Sequence, residues 1–438
     1  MQSSPEPQFE SSVLDHRFGT GDPYTLGVEE EYMLLDATSL DLVQHIDTVL
    51  AAVEGSDLEE ALHPELMQSV LEIATPVCQD IAEMEQQLRR LRSAVAHVAA
   101  ETGMRVGSAG THPFSLFERQ RITARDRYRA LVDQLQYVAR RELVFGMHIH
   151  VAIDDPEKAI RVLNGLLVHL PQLLALSASS PFWRGEPTGL ASTRQLVFAA
   201  FPRSGPPPRF RDYADYAEVV GQLERTGCVP DYTQIWWDIR PHPRLGTIEV
   251  RICDAVTRVE DAIAIAAFCQ SLVKLYCERF ERGAEIPSFH RLLTTENKWL
   301  AARYGLEAPV MDLLTGTRNR VPVAQLIRRS LRQLDPHARE LGSERELEGI
   351  REILARGNGA DRQLRVFKEA GDIVTVARAI ADATEVAAAP ADARAARSRP
   401  GLPSRDRRRR RGRACRRSAR AGRHIGAGRQ ACGSGRGP

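Results

Sequence analysis

The sequence lacks the cysteine spacings of zinc clusters and disulfide frameworks. Cys78, Cys228, Cys253, Cys269 and Cys277 lie in apolar or periodic segments, and none of them forms a CxxC pair. Isolated cysteines of this kind are typical of buried, reduced thiols. We therefore expect neither a zinc cluster nor a fold held by disulfides.

Long apolar segments are also scarce. The N-terminus has no basic region followed by an apolar stretch, and we identify no apolar run of the roughly 18 residues that cross a bilayer. The longest candidate, residues 261–277, is interrupted by Gln270 and Lys274. We therefore expect a cytoplasmic protein.

The common glycine-rich nucleotide signatures are missing. The sequence contains no GxxxxGK[ST] loop and no GxGxxG between a strand and a helix. If a nucleotide binds, metal ions and arginines must hold its phosphates instead of a glycine-rich loop.

The charge of the chain is unevenly distributed. Its 438 residues carry a net charge of +2, but residues 391–438 contain 16 Arg and 2 Asp, a net +14, which leaves −12 for residues 1–390. An acidic body argues against a nucleic-acid groove, which draws on clustered Lys and Arg. It fits a site that gathers cations.

Composition also divides the chain. Residues 1–23 are polar and aperiodic and predict a flexible leader, whereas residues 386–438 predict a disordered, Arg-rich tail because they have too few large apolar side chains to form a core. The tail could be an arm for nucleic acid or membrane, or an appendage translated out of frame. Comparing the reading frames near codon 386 distinguishes these alternatives.

Between these ends, the periodicity predicts alternating strands and helices up to about residue 255 and mainly helices afterwards. The predicted helices cover residues 80–102, a segment starting at 156, residues 212–226, a long segment after 259, and much of 289–385, including 323–334 and 344–355.

Five predicted strands share one design, in which one face is apolar and the other carries charged or imidazole side chains. These strands are residues 26–35, 68–77, 146–153, 235–240 and 247–254. Their polar faces carry Glu29 and Glu31, Glu72, His148 and His150, Asp238 and Arg240, and Glu249 and Arg251.

A single strand with two charged residues is usually a solvated surface, but five in one chain favour a functional face. So many acids repel one another unless cations lie between them. Carboxylates in excess of imidazoles, without thiolates, favour Mg²⁺ or Mn²⁺ over zinc. Arginines beside them suit phosphate oxygens, so the pattern predicts metal-dependent phosphoryl transfer.

The motifs that carry these residues resemble the carboxylate-amine ligase branch of the glutamate–cysteine ligase type 2 family over residues 24–385. They occur in the family order: GVEEEY (27–32), HPELMQSVLEIATP (63–76), GTHPF (110–114), GMHIHV (146–151), SSPFW (179–183), ASTR (191–194), WWDIRPHPRLGTIEVRICD (236–254) and ENKWLAARYGL (296–306).

The resemblance implies an α+β, glutamine-synthetase-like fold, in which a curved, mainly antiparallel sheet forms a funnel with helices outside, and a homodimer. It implies metal ligands at Glu29, Glu31, Glu65, Glu72, His148 and Glu249. Catalytic roles are expected for Arg251, Arg194 and His148, and nucleotide contacts for Arg251, Arg240, His150 and Asp238, of which the last three come from the strand faces alone. Glu65 and Arg194 come from the resemblance alone, and Lys298 replaces the Arg of the family's ENRW-type motif.

The resemblance also implies the chemistry. ATP, with Mg²⁺ or Mn²⁺, phosphorylates the γ-carboxylate of glutamate, and the amine of cysteine then attacks the acyl phosphate to give γ-glutamylcysteine, ADP and phosphate. Three alternatives stay open: the same chemistry on another carboxylate and amine, a metal-dependent amidohydrolase, and a non-catalytic nucleotide-binding protein. No membrane or specific nucleic acid is expected as a partner.

Deleting residues 391–438 tests whether the Arg-rich segment is an appendage. We expect metal-dependent ADP release to be unchanged, because the predicted site residues all precede this segment. The measurement compares the initial rates of the full and shortened chains at equal concentration. A loss of activity in the shortened chain would give the segment a functional role.

Overall fold

A computed structural model describes residues 11–315 and 319–385; the predicted tail (386–438) and the first ten residues of the predicted leader lie outside this described part. The strands are β1 (Leu26–Asp36), β2 (Leu62–Pro64), β3 (Val70–Ala74), β4 (Met104–Gly107), β5 (Gly146–Ala152), β6 (Phe182–Trp183), β7 (Glu186–Pro187), β8 (Ile239–His242), β9 (Thr247–Asp254), β10 (Pro309–Met311) and β11 (Arg320–Pro322). The α-helices are α1 (Ile46–Val53), α2 (Ile81–Glu101), α3 (Asp126–Leu135), α4 (Tyr137–Arg140), α5 (Pro156–Leu166), α6 (Leu170–Ser177), α7 (Arg194–Phe198), α8 (Tyr213–Arg225), α9 (Val259–Glu281), α10 (Arg291–Tyr304), α11 (Val323–Leu341), α12 (Glu344–Arg356), α13 (Gly359–Ala370) and α14 (Ile373–Thr384).

A seven-stranded antiparallel sheet organises the molecule. Its order is β2-β3-β1-β5-β9-β8, and β4 pairs with the second half of β1. β6 with β7 and β10 with β11 form two small hairpins. The α+β class predicted from the sequence is therefore confirmed.

The sheet separates an apolar face from a polar face. In β1, Val28, Tyr32 and Leu34 are buried in the main core, while Glu29 and Glu31 point the other way. The core under the sheet is completed by helices whose apolar stripes were visible in the sequence, among them α2, α5 and α9. This packing holds the strands that carry the polar side chains.

The predicted helix starts depend on local capping. Asp80 and Asp212 accept hydrogen bonds from backbone N–H groups three residues later, and so begin α2 and α8. Asp155 caps α5 in the same way, with Pro156 in the first turn, where its missing N–H leaves no bond unmade.

One apolar segment was underestimated from the sequence. Residues 156–177 form a helical stretch, from α5 through a single 3₁₀ turn to α6, that is long and apolar enough to cross a membrane. In the structure, 89% of its most apolar window is buried inside the protein. Its hydropathy is therefore that of a core helix.

The second half of the predicted leader is packed and ordered, contrary to expectation. Val13 and Phe18 are buried in the main core, and the Tyr213 hydroxyl donates a 2.6 Å hydrogen bond to the Val13 carbonyl. Ser11 Oγ donates to Glu224 at 2.8 Å. Two apolar residues and partners on α8 are sufficient to hold a segment whose composition alone suggests a loose chain.

The strand predicted at residues 235–240 begins later than expected. Only Ile239–His242 pair with β9, because the preceding backbone bonds to another loop: Trp236 N–H donates to the Arg203 carbonyl and Asp238 N–H to the Gly205 carbonyl. The expectation of buried thiols holds for four of the five described cysteines, whereas Cys228 is exposed.

A buried ion pair joins the apolar face of the sheet to α2. Glu30 accepts from Arg92 Nη2 at 2.5 Å and from Arg92 Nε at 2.9 Å, and both side chains are fully buried. The Tyr32 hydroxyl also donates to Glu30, and Arg92 donates to the carbonyls of Val256 and Thr257. Every group of the pair is therefore compensated.

Arg92→Ala should destabilise the protein by about 3–5 kcal/mol, because it leaves the Glu30 carboxylate buried without its partner. The matched control is Arg90→Ala on the exposed side of the same helix, which removes an exposed pair with Asp57 and a hydrogen bond to Gln87 and should cost less than about 1 kcal/mol. Urea unfolding followed by circular dichroism measures both. Equal midpoints for the two variants would contradict the role given to Glu30 and Arg92.

Candidate active site

A cavity of about 360 Å³ lies over the polar face of the sheet. Ten of the eleven side chains predicted from the sequence line this cavity: Glu29, Glu31, Glu65, Glu72, His148, His150, Arg194, Arg240, Glu249 and Arg251. The sheet register explains why they meet. Glu31 pairs with Glu72, Glu29 with His148, His150 with Glu249, and Glu249 with Arg240.

Glu29 lies at the centre of this arrangement. Its carboxylate is 3.0 Å from His148 Nδ1 and 3.4 Å from His150 Nε2. Burial alone would raise the pKa of Glu29, but the hydrogen bonds from His148 and His150 and the charge of His150 outweigh burial and hold that pKa well below its usual value. Glu29 is therefore ionised throughout the neutral pH range.

Glu249 is ionised for a different reason. Burial again acts to raise its pKa, but Arg240 and Arg251 outweigh burial and hold the pKa far below its usual value. Arg240 Nε donates to Glu249 at 2.5 Å, and Arg251 Nη1 donates to the other carboxylate oxygen. These contacts fix the two guanidinium groups at the wall of the cavity.

Three further acids have no such compensation. Burial, followed by the negative charge of Glu65, raises the pKa of Glu31 to about 7, and burial with the charges of Glu65, Glu29 and Glu31 raises the pKa of Glu72 well above its usual value. Burial also raises the pKa of Glu65. The cavity therefore holds more carboxyl groups than its own cations can keep ionised.

The position of Glu65 resolves a problem of strand parity. Glu65 and Glu72 are an odd number of residues apart, which would place them on opposite faces of one strand. Glu65 instead lies just after β2, in the turn before β3, and its carboxylate accepts from the N–H of Leu66. The turn brings it to the same cavity as Glu72.

The donor atoms fit divalent cations at two adjacent positions. Glu29, His150 and Glu249 offer ligand atoms within 4.8 Å of one another, and so do Glu29, Glu72 and His148. Burial, with the nearby charge of Arg251, lowers the pKa of His148 to about 4, so its imidazole is neutral and able to bind a metal. Carboxylates outnumber imidazoles and no thiolate takes part, which suits Mg²⁺ or Mn²⁺.

Arg194 is held by the end of β9. Its Nη atoms donate at 3.3 Å to the carbonyls of Arg251 and Ile252, and its Nη1 lies 4.0 Å from Asp254. The Cβ of a side chain at position 146 would overlap Arg194 Nη2, so glycine allows the guanidinium to take this position. The glycine of the GMHIHV motif is thus explained by Arg194.

Asp238 is not brought into the cavity with the other predicted residues. It is buried, and its Oδ1 accepts from Lys298 Nζ at 2.6 Å. Its strand starts one residue later, so the alternation assumed for residues 235–240 does not apply to it. The structure therefore gives no support to Asp238 as a nucleotide contact and makes it a partner of Lys298.

Sequence reasoning also missed several residues of the cavity wall, namely Arg127, Tyr128, Glu142, Trp236 and His242. Arg127 and Tyr128 come from α3, whose sequence has no charged-strand pattern. Glu142 precedes β5 by four residues, outside the alternation that identified His148. Trp236 and His242, two residues before Asp238 and two beyond Arg240, could have been found by following the predicted face.

Comparison with known families identifies relatives over most of the chain. The model for glutamate–cysteine ligase family 2 matches residues 25–381. A protein of Rubrobacter xylanophilus named "Putative glutamate–cysteine ligase 2-1" is 43% identical over 366 residues, covering 84% of this chain and 96% of that protein. One of Solibacter usitatus named "Putative glutamate–cysteine ligase 2" is 42% identical, covering 82% of this chain and 93% of that protein.

Solved structures agree on the fold. Glutamate–cysteine ligase from Francisella tularensis, solved in complex with AMP, superposes with a TM-score of 0.60 at 13% identity, covering 83% of this chain and 89% of that one. A bifunctional glutathione synthetase from Pasteurella multocida gives 0.61 at 16% identity and covers 83% of this chain, which spans about half (52%) of that longer protein. The glutamine-synthetase-like fold predicted from the sequence is confirmed.

Metal affinity should fall as the pH falls from 8.5 to 6. Burial raises the pKa of Glu31 to about 7 and the pKa of Glu72 well above its usual value, so protons compete with a cation for both carboxylates as the pH falls. We expect Mn²⁺ affinity, measured by calorimetry, to drop at least about tenfold over this range.

Metal-free stability should show the opposite pH dependence. An acid whose pKa is raised by folding stabilises the native state while protonated, and this contribution is lost as pH rises through about 7 for Glu31. Added Mg²⁺ should therefore raise the melting temperature more at pH 8 than at pH 6. Equal Mn²⁺ affinity at pH 8.5 and at pH 6 would contradict the metal assignment.

Proposed function

The chain belongs to the glutamate–cysteine ligase family 2, a family of ATP-dependent carbon–nitrogen ligases, and we propose that it activates an amino-acid carboxylate with ATP and joins it to an amine. The observation that carries this proposal is the single cavity in which uncompensated carboxyl groups lie beside fixed arginines. Such a site binds divalent cations and phosphate oxygens together.

The proposed reaction proceeds in two steps. The γ-phosphoryl group of ATP passes to a carboxylate oxygen of the first substrate, and ADP leaves. The amine nitrogen then forms a bond to the activated carbonyl carbon, the bond from that carbon to the phosphate oxygen breaks, and the amine releases its protons to solvent or buffer. No covalent bond to the protein is needed.

The chain contributes positioning and charge to both steps. Arg251 uses only Nη1 on Glu249, which leaves its other donors for phosphate oxygens. Arg240 is held at Nε, Nη1 and Nη2 by Glu249 and two carbonyls, and contributes mainly its charge. Arg194, fixed by backbone carbonyls, offers a third positive group for phosphate or for a substrate carboxylate. Closely spaced guanidinium groups stabilise the negative charge on a transferring phosphoryl group.

Glu29, Glu72, His148, His150 and Glu249 would hold the divalent cations, with Glu31 and Glu65 beside them. The bound cations would neutralise and orient the ATP phosphates. We propose Mg²⁺ as the physiological ion, with Mn²⁺ as a substitute of the same ligand preference.

Glutamate and cysteine are our proposed substrates, with γ-glutamylcysteine as the product. The relatives from Rubrobacter xylanophilus and Solibacter usitatus are both named as glutamate–cysteine ligases, which supports glutamate and cysteine as the substrates. The same chemistry on another carboxylate and amine is the alternative. We further propose that the enzyme is cytoplasmic and acts as a homodimer, which light scattering of the purified chain tests.

Glu72→Gln and Glu249→Gln should each reduce Mg²⁺-dependent ADP release with glutamate and cysteine by at least about a hundredfold, because each removes a charged ligand while keeping the side-chain shape. Glu72→Gln should stay folded, since one fewer crowded acid lowers the repulsion in the metal-free protein. Glu249→Gln should be less stable, because Arg240 and Arg251 lose the charge of their buried partner. A coupled assay for ADP with mass spectrometry of the product measures this.

Glu118→Gln is the matched control, because Glu118 is outside the cavity lining and pairs with Arg184 in a half-exposed ion pair. It should keep the wild-type rate. Wild-type turnover in either cavity variant would refute the metal assignment. If a panel of other carboxylates and amines releases ADP faster than glutamate with cysteine, the ligase chemistry stands and the substrate pair changes.

A further inference from the structure

Glu142 is a buried carboxyl group without a partner. Both of its oxygens are removed from solvent, and no donor in the described part of the chain makes a hydrogen bond to either of them. Buried polar atoms in native proteins are nearly always hydrogen-bonded, so such a group calls for an explanation. Because Glu142 lines the cavity over the sheet, a bound molecule can supply the missing donor.

The neighbouring cations are already engaged elsewhere. Arg141 Nη2 donates to the Val197 carbonyl at 3.2 Å, and the Nη atoms of Arg194 donate to carbonyls of β9. Both guanidinium groups attract the Glu142 carboxylate from a distance, without a hydrogen bond to it. The chain thus surrounds Glu142 with favourable potential but leaves its oxygens unoccupied.

A complementary donor lies in the same cavity wall. Arg194 Nε is also buried without a partner, and Arg194 lines the cavity as Glu142 does. An unsatisfied carboxylate acceptor and an unsatisfied guanidinium donor together match the ammonium and carboxylate groups of an amino acid. Val144, Leu131 and Phe198 provide apolar surroundings, in which such charged contacts are strong.

We propose that Glu142 accepts hydrogen bonds from the ammonium group of an amino-acid substrate and thereby selects substrates that carry this group. The inference rests on the proposed ligase function. Glu142 is a specificity residue in this role, separate from the carboxylates that would hold the metal ions.

The electrostatics of the cavity agree with this role. Burial raises the pKa of the Glu142 carboxyl to about 8, and Glu31 adds to this effect while Arg194 and Arg141 oppose it. An ammonium group at this carboxyl favours its ionised form. The site therefore gains a full charge-assisted contact only when a cationic substrate arrives.

Two substrate groups have this chemistry: the α-ammonium of the carboxylate donor and the amine of the acceptor. Kinetics with glutamate and with glutarate, which lacks the amino group, distinguish them when cysteine is the acceptor. If the donor binds Glu142, Glu142→Gln should raise KM for glutamate by about 10- to 100-fold and leave KM for glutarate unchanged. If the acceptor binds there, KM for cysteine should rise instead.

Either result supports the proposal, and unchanged KM values for all three compounds would overturn it. Glu118→Gln, on the half-exposed pair with Arg184, is the control and should match the wild type. Circular dichroism and urea unfolding of Glu142→Gln confirm that the variant is folded.

Calorimetry separates this inference from the proposed function, since it needs no turnover. Glutamate and cysteine are each titrated into the wild type and Glu142→Gln. A tenfold or greater loss of affinity for one amino acid supports the proposal even if no ADP is released, whereas equal affinities, or no binding to the wild type, overturn it. Mn²⁺ alone should bind both proteins equally, and weaker Mn²⁺ binding by Glu142→Gln would make Glu142 a metal ligand instead.

Discussion

Repulsion among carboxylates on one face of a rigid sheet is the constraint on which the rest of the site depends. Antiparallel pairing places Glu29, Glu31, Glu72 and Glu249 on nearby strands of the same sheet face, and Glu65 joins them from a turn. Strand pairing fixes the backbone from which these side chains project, so the carboxylates can separate only as far as side-chain rotation in a buried cavity allows. The charge must therefore be compensated by protons, by the protein's own cations, or by bound ions.

The protein's own cations compensate the carboxylates at some positions and not at others. Glu29 has two imidazoles and Glu249 has two guanidinium groups, so both are ionised without help. Glu31 and Glu72 lack such partners, and protons compensate them until a cation arrives. Binding of a divalent ion and ionisation of these acids are thus one coupled event, and the shape of the cavity is prepared for it by the apolar core beneath.

Glu30, on the apolar face of the same strand, is fully compensated, so the uncompensated carboxylates lie on the polar face of the sheet. Glu30 is next to Glu29 and Glu31 in the chain but points into the core, where Arg92 and Tyr32 satisfy it fully. Glu31, on the opposite face, accepts a hydrogen bond from the Gly146 N–H but from no cationic side chain among the described residues. A fully paired carboxylate and an incompletely paired one are thus neighbours on β1, one facing the core and the other facing the cavity.

Strand alternation predicted most of the cavity because regular pairing transmits it across the sheet. It succeeded for β1, β5 and β9, where the pairing is nearly continuous, and the resemblance to the ligase family added Glu65 and Arg194. Strand alternation failed outside the paired strands. It misplaced Asp238, which precedes β8, and it did not reach Glu142, which precedes β5. Residues 11–23 could not be placed either, since their order comes from contacts with α8, which no local pattern reveals.

Asp238 also links a departure from the family motif to the geometry of the site. The carbonyl of Asp238 accepts the N–H groups of both Arg251 and Ile252, so the position of Asp238 helps to fix the backbone of β9 at Arg251. Lys298, where the family motif has Arg, binds only Asp238 Oδ1, and Oδ2 has no hydrogen-bond partner among the described residues. A guanidinium fork could satisfy both oxygens, whereas an ammonium group satisfies one. The pair therefore holds the backbone beside Arg251 through a single charged contact, and Lys298 itself lies outside the cavity lining.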